Sequence, residues 1–129
     1  MSNDNENSKR KPEHIAYAVR TTAEGPKYTR IGVGFSLQNG GISVIYDAQP
    51  ASPQIVLLEQ DAARPQNISY GNPTRKADFD ACMVREYGEN KSFWSRVGQA
   101  YKQDGYISIQ LEAIPHGKLI LTVPKEQEQ

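Results

Sequence analysis

Apolar and polar residues alternate with a period of two along most of this chain. Ile107, Ile109, Leu111 and Ala113 are separated by Ser108, Gln110 and Glu112, and Ile42, Val44, Tyr46 and Ala48 by Ser43, Ile45 and Asp47. That period puts successive side chains on opposite faces of a half-buried strand. No long stretch repeats apolar residues at helical spacing without a Gly or Pro interrupting it. The pattern predicts strands near 14–20, 28–36, 42–48 and 54–59, and again near 79–86, 92–101, 106–113 and 118–123. Asn39-Gly40 and Asp104-Gly105 fall between the second and third strand of each set. As Asn-Gly and Asp-Gly they predict hairpins with a type I′ turn, whose two central residues both take positive φ. Gly25 and Gly88 separate the first two strands of each set. Pro50 and Pro115 end the third, since proline cannot donate to a central ladder.

The two sets of strands are copies of one pattern. Ala16-Tyr17-Ala18-Val19-Arg20 aligns with Ala81-Cys82-Met83-Val84-Arg85. Tyr28-Thr29-Arg30-Ile31-Gly32 aligns with Trp94-Ser95-Arg96-Val97-Gly98, and Ile55-Val56-Leu57 with Leu119-Ile120-Leu121. Order and spacing hold with one-residue slips at predicted turns, the mark of a duplicated structural unit. The expected organisation is a tail (1–13), a first β repeat (14–59), a linker (60–78) that Ile68 and Tyr70 are expected to pin to the surface, a second repeat (79–124) and a short tail (125–129). An isolated four-strand unit is marginal, so the repeats are expected to share a core. The fold class is all-β: two tandem four-stranded antiparallel meanders forming one sandwich or barrel with a pseudo-two-fold axis.

Composition narrows the function by exclusion. The 129 residues carry 15 Lys and Arg against 15 Asp and Glu, which argues against a dedicated duplex-DNA binder and leaves room for a local basic stripe. The apolar fraction is 37%, and the deficit sits in the polar tails, which cannot offset their ordering entropy and are expected to be disordered. No apolar run approaches the ~20 residues of a membrane span, and no signal-peptide core is evident. A cytoplasmic protein is the expectation. The lone Cys82 forms no internal disulfide and is expected on the core face beside Val84, as a small hydrophobe.

The chemistry of enzymes is sparse. His14 and His116 fit no metal-ligand spacing and read as solvated. Gly32-Val33-Gly34 lies within a strand and is no phosphate loop. Asp47 and Glu112 match as the solvent face of the third strand rather than as a catalytic pair. The expectation is a non-enzymatic protein with no cofactor, no metal, no membrane partner and no small-molecule substrate.

What stands out is a face. Period-two reasoning groups Ile31, Val33 and Phe35 on the core side of the second strand, and likewise Phe93, Ser95, Val97 and Tyr101. It leaves Tyr28 with Arg30, and Trp94 with Arg96, two residues apart on the other side. Arg20 or Arg85 can join from the adjacent strand. Gly32 and Gly98, matched inside strands, are expected to mark a bend or bulge. Flat aromatics beside guanidinium groups on an open sheet can stack unpaired bases and hold phosphate. The candidate site is therefore Arg20, Tyr28, Arg30, Arg85, Trp94 and Arg96, with single-stranded DNA or RNA as partner. The alternative is a protein-interaction or homodimeric assembly module using the same face or edge strands, with Arg packed on the aromatics.

The stretch Phe93-Trp94-Ser95-Arg96-Val97-Gly98-Gln99-Ala100-Tyr101, followed by Asp104-Gly105, Leu111-Glu112-Ala113-Ile114-Pro115 and Gly117-Lys118-Leu119-Ile120-Leu121, resembles a module of small uncharacterised bacterial proteins carried on plasmids and other mobile elements. The resemblance covers 92–123. The first repeat departs from it, with Tyr28 in place of the Trp and Ala51-Ser52-Pro53 in place of the Gly turn. It implies a bacterial cytoplasmic accessory protein, and no activity.

Overall fold

A computed structural model describes residues 11–48, 53–69, 76–113 and 118–124. The strands are β1 (His14–Thr22), β2 (Gly25–Ser36), β3 (Ile42–Tyr46), β4 (Gln54–Glu59), β5 (Phe79–Glu86), β6 (Ser92–Gln103), β7 (Tyr106–Leu111) and β8 (Lys118–Thr122). No helix occurs among the described residues, and none is long and apolar enough to cross a membrane.

The strands close into one antiparallel barrel in the order β1-β2-β3-β8-β5-β6-β7-β4. The barrel half of the fold-class expectation is thus the observed one, and its topology adds a detail. Within each repeat only the first three strands form a meander. The fourth returns beside the first, giving the order 4-1-2-3 of a Greek key. The two keys join at β3–β8 and β4–β7. Every strand of the second repeat lies four places around the ring from its counterpart, a pseudo-two-fold about the barrel axis. The register obeys it: Ile42 pairs Leu121 and Val44 pairs Leu119, as Ile107 pairs Leu57 and Ile109 pairs Ile55. A ring of eight strands has an interior that side chains just fill, and here Ile31, Val44, Ile55, Phe79, Val97 and Ile109 are among those that fill it.

Period-two reasoning fails at two equivalent places. Ala16 pairs Gly32 but Tyr17 pairs Arg30, so Ile31 is an extra residue in β2. Ala81 pairs Gly98 but Cys82 pairs Arg96, so Val97 is extra in β6. These β-bulges shift the alternation by one. Ile31 and Val97 face the core, but beyond them Gly34 and Ala100 turn inward, and Val33, Phe35 and Tyr101 are only half-buried. The bulge carbonyls are used: Ile31 O accepts from the Asp47 amide at 2.6 Å and Val97 O from the Glu112 amide at 2.6 Å. Glycine is required beside each bulge because the neighbouring strand runs too close for a side chain. A Cβ on Gly32 would collide with the Ile45 carbonyl, and one on Gly98 would lie 2.9 Å from the Leu111 Cα.

Other expectations change too. On β5 the inward residues are Phe79, Ala81 and Met83, so Cys82 lies on the outer wall, partly exposed. In the hairpin turns Gly40 and Gly105 have φ of 91° and 90°, while Asn39 and Asp104 do not take positive φ. These are not type I′ turns. His14 is half-buried rather than solvated, and its Nδ1 is enclosed without a partner among the described residues. Residues 12 and 13 are not free tail: Pro12 O accepts from Gln60, and Glu13 bonds both the Gly34 carbonyl and the Ser36 amide. Residues 1–10 and 125–129 of the expected tails, with Pro50, Tyr70, Pro115 and His116, lie outside the described residues.

Candidate nucleic-acid interface

Beyond the bulges β2 and β6 lose their outer neighbours, while β1 stays paired with β4 as far as Ala18 and β5 with β8 as far as Val84; past those residues the β1–β2 and β5–β6 hairpins run on as short two-stranded arms. β3 pairs β2 only from Gly32 onward and β7 pairs β6 only from Gly98 onward. β1 and β5 stand four places apart in an antiparallel ring, so they run in the same direction and both arms leave the same rim. Each arm keeps two faces, one continuous with the barrel interior and one with its outer wall.

The six expected site residues divide between these faces and between opposite walls. Tyr28 and Trp94 are on outer faces. Their strands, β2 and β6, are half a turn apart, so the two aromatics do not share one continuous face. Tyr28 is half-buried. Its hydroxyl donates to the Pro65 carbonyl, its ring meets Tyr17 edge-to-face at 5.6 Å, and the Arg64 guanidinium lies 5.0 Å from the Tyr17 ring and 5.7 Å from Tyr28. Burial pushes the Tyr28 phenol above its ordinary pKa, with Tyr106 adding to the rise and Arg64 opposing it. Arg30 lies exposed beside it.

Trp94 is 48% exposed. Its indole N–H donates to Ser92 Oγ at 3.1 Å, and it stands opposite Val84. Arg96 is paired with Asp80, its Nε 3.2 Å from Oδ1, and its side chain stays 47% exposed. Arg20 and Arg85 are exposed on the inner faces. Arg20 stands directly opposite Lys27, and Arg85 opposite Phe93. The same inner faces carry Thr22, Thr29, Met83 and Ser95 and no acid.

The linker is pinned to the surface by Ile68, as expected from the sequence; which wall it covers, and the seating of Arg64 and Pro65 on the aromatic pair, were not read. Residues 62–69 lie along the outer wall of β4, β1 and β2, over a second cluster of Val19, Val56 and Leu58 with Tyr17, Tyr28, Ile68 and Tyr106. The Ser69 amide donates to the Tyr106 hydroxyl at 2.9 Å, and Gln103 donates to Ser69 O at 3.2 Å. Ile68, isolated in a polar linker, was the signal for the pinning. Among the described residues no group of His, Cys, Asp and Glu could hold a metal ion.

No protein-family profile matches the chain, nor does any curated protein or solved structure.

Proposed function

We propose that this barrel is a non-enzymatic module that binds single-stranded nucleic acid, DNA or RNA, between its two arms. The observation that carries the reading is the pair of inner faces: Arg20 opposite Lys27 on one arm, and Arg85 opposite an exposed Phe93 on the other. Like charges directly across a strand pair are destabilising, and a polyanion between the arms relieves that repulsion. Phe93 supplies a flat face for a base, with stacking contributing ~1–3 kcal/mol per base. A net charge of zero is compatible with this, because on β5 the acids Asp80 and Glu86 occupy outer positions while Arg85 occupies an inner one. The site is therefore Arg20, Lys27, Arg85 and Phe93, in place of the outer pairs Tyr28–Arg30 and Trp94–Arg96. A bacterial cytoplasm is the setting that the resemblance of 92–123 implies.

Fluorescence anisotropy with labelled single-stranded DNA, RNA and duplex at two salt concentrations tests this. Single strands should bind more tightly than duplex. Phe93→Ala should weaken binding by ~1–3 kcal/mol with little change in salt dependence, because stacking releases no counterions. Lys27→Ala should flatten the salt slope by about one. No binding of any single strand at low salt ends the reading.

A further inference from the structure

The duplication gives every residue of the covered outer wall a counterpart on the opposite one. Tyr17, Val19, Tyr28 and Val56 correspond to Cys82, Val84, Trp94 and Ile120. On the first wall these positions are packed beneath residues 62–69. On the second, formed by β8, β5 and β6, Cys82, Val84 and Ile120 are all partly exposed and Trp94 is 48% exposed. They are contiguous: Ile120 pairs Cys82 and Val84 pairs Trp94.

We propose that this second wall docks an extended segment of a partner polypeptide with the chemistry of residues 64–68: a basic side chain, a backbone carbonyl beside it, and an aliphatic residue four positions on. The covered wall shows how each group is received. Arg64 lies over the aromatic pair, Pro65 O accepts from the aromatic residue of β2, and Ile68 joins the apolar cluster. The second wall has the matching receptors. Trp94 is a better cation acceptor than tyrosine, and its N–H, which donates to the exposed Ser92 hydroxyl, can exchange that partner for a carbonyl of the docked segment. Charge favours a basic segment further. Glu86 replaces Thr21 two residues beyond Val84, and the nearby Arg96 is neutralised by Asp80. The aliphatic residue has Cys82, Val84 and Ile120 to cover. This surface is the outer one, distinct from the inner faces proposed for nucleic acid.

Trp94 is the single tryptophan and Cys82 the single cysteine, so the wall carries its own reporters. A synthetic peptide with the sequence of residues 61–69 is titrated into the full chain. Trp94 emission should shift to the blue and saturate, and alkylation of Cys82 should slow at least threefold. Val84→Glu, at a half-exposed outer position, should weaken the peptide at least tenfold. A peptide in which Arg64 and Ile68 are both alanine should lose as much, a control that leaves the protein unaltered. Phe93→Ala should leave peptide binding intact while impairing oligonucleotide binding, which separates failure here from failure of the proposed function. The inference is overturned by the absence of a saturable response, or by equal binding of the double-alanine peptide. Displacement of the peptide by a single-stranded oligonucleotide would assign the wall to nucleic acid. Self-association in sedimentation that Val84→Glu abolishes and the peptide does not compete would assign it to a second copy.

Discussion

Ile109→Ala tests whether the two repeats share one interior. Ile109 is fully buried and pairs Ile55 across the β4–β7 seam, while its counterpart Val44 pairs Leu119 across the β3–β8 seam. The substitution removes three carbon groups from the centre of the barrel. At ~0.8 kcal/mol per buried methylene the transfer loss alone is about 2.4 kcal/mol. The closed ring limits how far the walls can collapse into the space, so a cavity penalty adds to it and the total falls at about 3–4 kcal/mol, within the ~2–5 kcal/mol observed for such truncations. With a urea slope of about 2 kcal/mol/M, the midpoint should drop by about 1.5–2 M. Gln110→Ala, whose side chain is exposed on the opposite face, should move it by less than about 0.3 M. The sharper check is cooperativity. Because Ile109 sits at a seam, both repeats should unfold in one transition, monitored by Trp94 fluorescence and by far-UV dichroism together. Two separated transitions in the variant, with the first repeat retaining its midpoint, would refute the shared core.

Three further outcomes follow from individual groups. Tyr46 has a buried hydroxyl without a partner among the described residues, burial raises its pKa far above the ordinary value, and its counterpart in the second repeat is Leu111. Tyr46→Phe should therefore leave stability unchanged or raise it by up to about 2 kcal/mol in chemical denaturation. Burial lowers the pKa of His14, opposed by Glu59 and Glu13, so the unfolded chain takes up the proton first as pH falls. Stability should be full above about pH 6.5 and decline below it until the lowered native pKa is reached. His14→Gln should flatten that decline in urea midpoints compared at pH 7.5 and 5, and an equal decline in the variant would assign it to other groups. Burial, with a smaller contribution from Asp80, raises the Cys82 thiol pKa against the opposing effects of Thr122 and Arg96. Its alkylation at pH 8 should be slower than that of a free thiol, and a rate equal to glutathione's would contradict this.

Most of the strand plan was legible because alternation is a local property, and the observed strands differ from expectation chiefly by extensions at Thr22, Gly25 and Gln103 and shorter third strands. The faces were legible only as far as the bulges. One extra residue at Ile31 or Val97 reverses every assignment after it, and period-two reasoning cannot register an extra residue without knowing what the partner strand does. Cys82 was misplaced for a related reason: Ala81 and Met83 are no more polar than Cys82 and Val84, so β5 gives no alternation to read. The return of β4 beside β1 depends on pairing across the barrel and leaves no local mark. Of the candidate residues, Tyr28, Arg30, Trp94 and Arg96 lie on the outer side that alternation gave them, but Arg20 and Arg85 lie on the inner faces, opposite Lys27 and Phe93, which strand-by-strand alternation does not pair. Nothing in Arg64-Pro65 announces that it will sit on Tyr28.

The closed order of strands also says when this barrel can form during synthesis. β8 fills the gap between β3 and β5, joining Leu121 to Ile42 and to Ala81, and it is the last of the ring's strands in the chain. Until residues 118–122 leave the ribosome, β3 and β5 each present an unpaired edge. Such edges recruit foreign strands. The pairing that removes them spans most of the sequence, and contacts of that range form slowly. The nascent protein is therefore exposed to misassembly until its final strand arrives, and a chain stalled before Lys118 should be a client of chaperones rather than a smaller version of the folded domain.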